Sequence, residues 1–295
     1  MINSSPFLRF SYFRMNNNAL FFCCLFLGIL VGCDKIDEPY GKKPSGSIDT
    51  TSTYIRKILV EDYTGHTCGN CPRAAESLEQ LYVLFPGQIV SMGVHAGFFA
   101  EPGGAEYPED FRTPVGNELD QFYGVSAASL PKGLVNRKSF GGAIILEHTD
   151  WKTKVPAITS IPPDAHIKIT SQYNSTTRVL SATVDTRILL PLSGDLKLAV
   201  YITEDSVRAN QKDYDAPGDV IENYVHKHML RTSMNSAFGE LLSTTTNYVS
   251  GELFSKSLSI NLPIEWNAQH IGILAVLYRD VENKEVVQAE YFELK

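Results

Sequence analysis

Cys68 and Cys71 stand two residues apart in the stretch Tyr63-Thr64-Gly65-His66-Thr67-Cys68-Gly69-Asn70-Cys71-Pro72. Ahead of them runs an apolar segment, Ile55 to Val60. Behind them Ala75, Leu78, Leu81, Tyr82 and Phe85 recur at helical spacing, which predicts a helix over 74–85. Two cysteines at this spacing, placed where a strand hands over to a helix, read as a redox pair. The thiolate is the reactive form, and the free N–H groups and dipole at a helix start favour it. Cys68 is expected as the exposed attacking thiol and Cys71 as the resolving one. Pro72 fits the first helical turn, where an N–H has no partner to lose.

The other cysteines sharpen this reading. Cys23 and Cys24 lie in an apolar leader and Cys33 closes it, so the rest of the chain holds a single vicinal pair. An exported chain with one such pair uses it for chemistry rather than as a scaffold of bridges. Cys68, Cys71, His66 and His95 form a possible zinc set, but a structural zinc site has a second close pair and none is present. No metal and no cofactor beyond the pair itself are expected. His226 and His228 read as ordinary strand side chains.

The elements that must hold the pair emerge from the pattern. Residues 88–94 form a second apolar run, so strand, helix and strand imply a parallel pair with a right-handed crossover. In such sheets the working site lies beyond the carboxyl ends of the strands, which puts Cys68 and His95 on one edge. The segment from Gly97 to Pro114 joins them there. It carries Phe98, Phe99, Tyr107 and Phe111, and a connection of this length is expected as a lid or a peptide-contact wall. Phe98, Phe99, His66 and Thr67 are the expected substrate contacts. Residues 117–123 read as a short helix, and a helix starting at Trp151 closes an α/β domain at 161. From 162 onward the hydrophobic period becomes two, with strands expected at 179–188, 196–203, 253–262, 271–279 and 285–294. Short strands without helices suggest a β-sandwich, immunoglobulin-like, over 162–295. The stretch 205–223 reads as a polar loop, and no catalytic set is visible in this half.

The 295 residues carry a net charge of -7. Residues 1–32 contain Arg9 and Arg14 and no acid, so the remainder holds 24 basic and 33 acidic residues, a balance of -9. Nucleic acid is excluded as a partner, because it asks for a basic face. The apolar run 19–31 is short for a bilayer span and reads as the core of an export leader, 1–32. Residues 33–53 are polar, with Pro39, Gly41, Pro44 and Gly46, and read as a flexible tether.

Several of these motifs resemble known families. Leu30-Val31-Gly32-Cys33 resembles the lipobox of bacterial lipoproteins, which implies acylation of Cys33 and attachment to a membrane through lipid. Lys35, Asp37 and Glu38 resemble the acidic export tag of Bacteroidetes surface lipoproteins. Residues 54–161 resemble a thioredoxin-like domain. Tyr123-Gly124-Val125 followed by Pro131 is similar to that family's element with a cis-proline facing the cysteines. The resemblance implies that the backbone at Leu130 pairs with an incoming peptide. Asp62, six residues before Cys68, matches the family's buried acid, which moves the resolving thiol's proton. Thr67 stands where the family has tryptophan, and Gly69-Asn70 is an uncommon dipeptide between the cysteines. The whole layout resembles the family of the 28-kilodalton outer membrane protein of Bacteroidetes. That implies an outer-membrane lipoprotein, facing either the periplasm or the cell exterior. Two functions are expected on these grounds: thiol–disulfide exchange with the thiols or disulfides of exported proteins, or binding of a surface ligand as an adhesin or receptor without turnover.

Overall fold

A computed structural model describes residues 54–294 of the chain. Cys33, the expected leader and the expected tether lie outside the described residues. The order begins with β1 (Ile58–Thr64), α1 (Pro72–Leu84), β2 (Ile89–His95), α2 (Pro114–Tyr123), β3 (Lys132–Val135), β4 (Leu146–Glu147), α3 (His148–Lys154) and α4 (Pro156–Thr159). It continues with β5 (Ala165–Asn174), β6 (Val179–Ile188), β7 (Leu192–Ser193), β8 (Leu196–Glu204), β9 (Val207–Lys212), β10 (Val220–His226) and β11 (Met229–Ser233). The last strands are β12 (Glu240–Leu241), β13 (Asn247–Tyr248), β14 (Leu253–Asn261), β15 (Ile271–Arg279) and β16 (Val286–Glu293). The protein is therefore mostly β-sheet with few helices. Among the described residues no helix is long and apolar enough to cross a membrane.

β1 is parallel to β2 and antiparallel to β3, with Tyr63 opposite Val94 and Lys132. All of β2 and six of the seven β1 residues are buried, because both sheet faces are covered. On one face Ile58 and Val60 pack with Ala74, Leu78 and Leu81 of α1 and Trp151 of α3. On the other, Leu59, Tyr63 and Val94 join Val115 and Leu119 of α2. α1 begins on Pro72 and stops before Pro86. α2 starts earlier than its sequence pattern suggests. Thr113 caps it by accepting from the Gly116 N–H at 3.0 Å, and Pro114 fills the first turn. The Leu130–Pro131 bond that precedes β3 is cis.

The five strands expected after residue 161 have their limits to within a residue, but β5, β7 and β9 to β13 are strands that the pattern does not delimit, and the sheet does not stop at the expected boundary. One nine-stranded sheet runs β16-β15-β8-β11-β2-β1-β3-β4, with β12 pairing on β8. The join is parallel, Met229 opposite Gly93, and is completed by the Gly93 N–H donating to the His228 carbonyl at 2.8 Å. Strands β8 and β15 accordingly bury both faces. Leu198, Val200, Ile273 and Ala275 face the sandwich core, while Ala199, Tyr201, Leu274 and Val276 face the cluster that contains Leu59 and Tyr63. The second layer of the sandwich is a three-stranded antiparallel sheet, β14-β6-β5. Its strands alternate, since their outer face meets solvent.

A buried ion pair fixes the middle of this sheet. Arg137 donates from Nε to Glu61 Oε2 at 2.9 Å and from Nη2 to Oε1 at 2.8 Å, with both side chains fully buried. The rings of Tyr123 and Tyr278 flank the guanidinium, their centroids 5.4 and 5.6 Å away. Asn136 extends the same corner: its Oδ1 accepts from the Leu59 N–H, and its carbonyl accepts from Val286 of β16.

Candidate functional site

The connection from β1 to α1 carries both cysteines, and a disulfide joins Cys68 to Cys71. Each is only 2% exposed. The expectation of an exposed Cys68 is therefore corrected, and the cover responsible is the stretch 205–223 that reads as a loop in the sequence. It forms a two-stranded ribbon, β9 antiparallel to β10. The Lys212 N–H donates to the His66 carbonyl at 2.7 Å and the Tyr214 N–H to the Gly69 carbonyl at 3.0 Å. The Gln211 amide donates to the carbonyls of Gly65 and Cys68 at 3.3 and 3.1 Å. The Tyr214 ring lies 2.7 Å from where a Cβ on Gly69 would stand, so a larger residue there would have to displace this exposed ring.

The segment 97–112 closes the other side. The Phe99 carbonyl accepts from the Thr67 N–H at 3.1 Å and from Thr67 Oγ1 at 2.9 Å. A Cβ on Gly65 would stand 2.3 Å from that same oxygen. Thr67 and Phe99 thus meet each other across the cysteine loop, whereas Phe98 is 76% exposed. His66 does not present a substrate contact, because its ring is fully buried between Tyr107 and Phe111. Pro131 and Leu130 are half-buried and stand beyond Lys132, at the end of β3 nearest the cysteine loop.

A cleft of about 320 Å³ opens between α1 and the ribbon, and Cys71 rather than Cys68 lines it. Leu130 and Pro131 are not part of its wall. Asp62, His95, Gln211, Tyr224 and His226 form the inner side. Burial pushes the Asp62 carboxyl up to about 7, and its Oδ1 has no hydrogen-bond partner among the described residues. A carboxyl in this range exchanges protons near neutrality. His95 and His226 meet edge to face at 5.4 Å, and Phe111 sits against His66, His95 and His226 with centroids 4.9 to 5.3 Å apart. Burial first, and then the other imidazoles, hold His95 well below its ordinary value and lower His226 to about 3. Burial also lowers His66. Among the described residues no group of three or more His, Cys, Asp or Glu side chains is arranged to hold a metal. His226 and the ribbon are the parts of the candidate site that the sequence conceals. His226 is 131 residues from His95, and the β11–β2 join together with the ribbon's bonds to the cysteine loop brings its strand there.

The three neutral imidazoles have a measurable consequence. The unfolded chain binds protons on them below about pH 6.5, while the fold keeps them neutral to lower pH, so stability falls on acidification through that window. Asp62 acts in the opposite sense, because the fold holds its proton up to about pH 7. With three groups against one, the urea midpoint should drop between about pH 6.5 and 5. Replacing His226 and His95 together with phenylalanine should flatten that slope.

A family model of the outer membrane protein Omp28 matches residues 117–293. The chain belongs to this family. It is accordingly a protein of the outer membrane. The Omp28 match begins after the cysteine pair, so it bears on the fold's larger part and not on Cys68 and Cys71. The structure is similar to that of HBP35 of Porphyromonas gingivalis, with TM-score 0.58 and 15% identity over 82% of this chain and 76% of that one. It is also similar to a protein of Agrobacterium tumefaciens, with TM-score 0.51 and 10% identity over 83% and 97%. A domain of the outer membrane lipoprotein Omp28 from Porphyromonas gingivalis aligns at 18% identity, TM-score 0.28, over 45% of this chain and 89% of that domain. No curated protein matches the sequence. At these identities the likenesses speak for fold alone.

Proposed function

We propose that this Omp28 family member carries out thiol–disulfide exchange at Cys68–Cys71, on a thioredoxin-like framework, tethered to the outer membrane through lipid on Cys33. The observation that carries the reading is Cys71 on the wall of a cleft beside Asp62, whose carboxyl burial pushes to about 7. The pair stands at the start of α1, where the positive end of the helix favours a departing thiolate. The thioredoxin-like reading is supported by parallel β1 and β2 linked through α1, with β3 antiparallel to β1 and preceded by cis-Pro131.

One observation favours a second reading. Both sulfurs are 2% exposed, which suits a bridge that only staples the loop of a ligand-binding protein. The two readings differ in rate. Dithiothreitol should open the bridge of the full chain at least as fast as the bridge of an unfolded Cys-Gly-Asn-Cys peptide. Opening slower by orders of magnitude, with the fold intact, would establish the staple.

A further inference from the structure

The cover over Cys68 narrows the choice of reactant, given that the pair exchanges as proposed above. A peptide client of such a site would pair with the backbone at Leu130, which does not line the cleft, or with the backbone of the cysteine loop. The loop's backbone is already taken. The carbonyls of Gly65, His66, Cys68 and Gly69 all accept from the β9–β10 ribbon and the turn after it, and the Thr67 N–H is held by Phe99. What stays open is the cleft on the far side, which meets Cys71 alone of the pair. At about 320 Å³ it stands at the small end of ligand pockets. Ala75, Leu78 and Ile221 give it an apolar wall for a short methylene chain. Its rim is acidic. Lys227 is held by Glu79 at 2.7 Å and Asp213 lies 3.8 Å from Arg73, while Glu76 is exposed and has no basic partner among the described residues.

We propose that the reactant is a low-molecular-weight aminothiol, whose ammonium is held at Glu76 while its sulfur attacks Cys71 from the cleft and expels Cys68. Attack on a disulfide runs in line with the S–S bond, and of the two cysteines only Cys71 lines the cleft, so Cys71 is the one a thiol bound there would attack. The first thiolate forms a bond to Cys71 Sγ, the Cys68–Cys71 bond breaks, and Cys68 leaves with the electron pair and takes a proton. A second aminothiolate attacks the small-molecule sulfur of the mixed disulfide. The small disulfide departs, and Cys71 leaves as thiolate and is protonated from the Asp62 side of the cleft. Two aminothiols are oxidised to one disulfide, the protein pair is reduced by two electrons, and the two thiol protons end on Cys68 and Cys71.

The oxidised full chain is mixed at equal thiolate concentration with cysteamine, 2-mercaptoethanol, 2-mercaptoethanesulfonate and an unfolded single-cysteine peptide. The mixture is acid-quenched, alkylated and mapped by mass. Cysteamine should react up to about five-fold faster than the neutral thiol, the value of one exposed charge pair, with the sulfonate slower again. The adduct should sit on Cys71 and the alkylation on Cys68. Glu76→Gln should bring the cysteamine rate down toward that of the neutral thiol. An adduct on Cys68, a charge-blind order of rates, or a peptide that outruns cysteamine would overturn the proposal while leaving exchange itself in place. A pair that no thiol opens would overturn both.

Discussion

Replacing Arg137 with alanine should destabilise the fold by about 3–5 kcal/mol, the cost of leaving one member of a buried ion pair without its partner. Glu61 is fully buried in the centre of β1, between β2 and β3, away from the solvent that could replace the two guanidinium bonds. Arg137 in turn lies between the rings of Tyr123 and Tyr278, so its removal also strips packing between α2 and β15. The Glu61→Leu, Arg137→Met double variant should lose much less than the sum of the single changes, because two apolar side chains of similar volume leave no orphaned charge. Urea unfolding of the two single variants and the double variant measures this coupling directly.

Asp62→Asn should act in opposite directions on reactivity and stability. On the exchange reading, a carboxyl that lines the same cleft as Cys71 serves as proton donor and acceptor, so its loss should slow bridge opening and closing by about 100-fold. Its burial has a cost as well. The folded chain holds the proton up to about pH 7 while the unfolded carboxyl releases it near 3.8, so stability falls as pH rises through that window. The amide removes this loss. At pH 8 the variant should be more stable than the parent by about 4 kcal/mol, from a shift of roughly three units at 1.36 kcal/mol each. At about pH 4 the gain should vanish. A site kept at the expense of stability is expected where a residue serves chemistry rather than the fold.

The local order of the first half is legible because it is written in neighbouring residues. The Cys68–Cys71 spacing, the apolar run ahead of it, Pro72 and the α1 stripe all lie close together in the chain. The sandwich strands are equally plain, since β6 and β14 face water on one side and alternate. β8 and β15 read as the same kind of strand, yet they bury both faces, and their side chains do not reveal which second layer they meet. The ribbon is the larger omission. Val207-Arg208-Ala209-Asn210-Gln211-Lys212 has little β propensity, and its strand is held by cross-chain partners in the cysteine loop. The same ribbon turns Cys68 from the exposed sulfur into the covered one and leaves Cys71 at the cleft. Short-range pattern thus places the chemistry, and long-range pairing decides which atom can be reached.

The reduction potential of the Cys68–Cys71 pair, measured by equilibrating the full chain in dithiothreitol or glutathione buffers and counting alkylated thiols by mass, tests the exchange reading most directly. Exchange predicts a value more oxidising than about −270 mV, within the range of working redox pairs. A value below about −300 mV, that of a bridge built to stay closed, would contradict it.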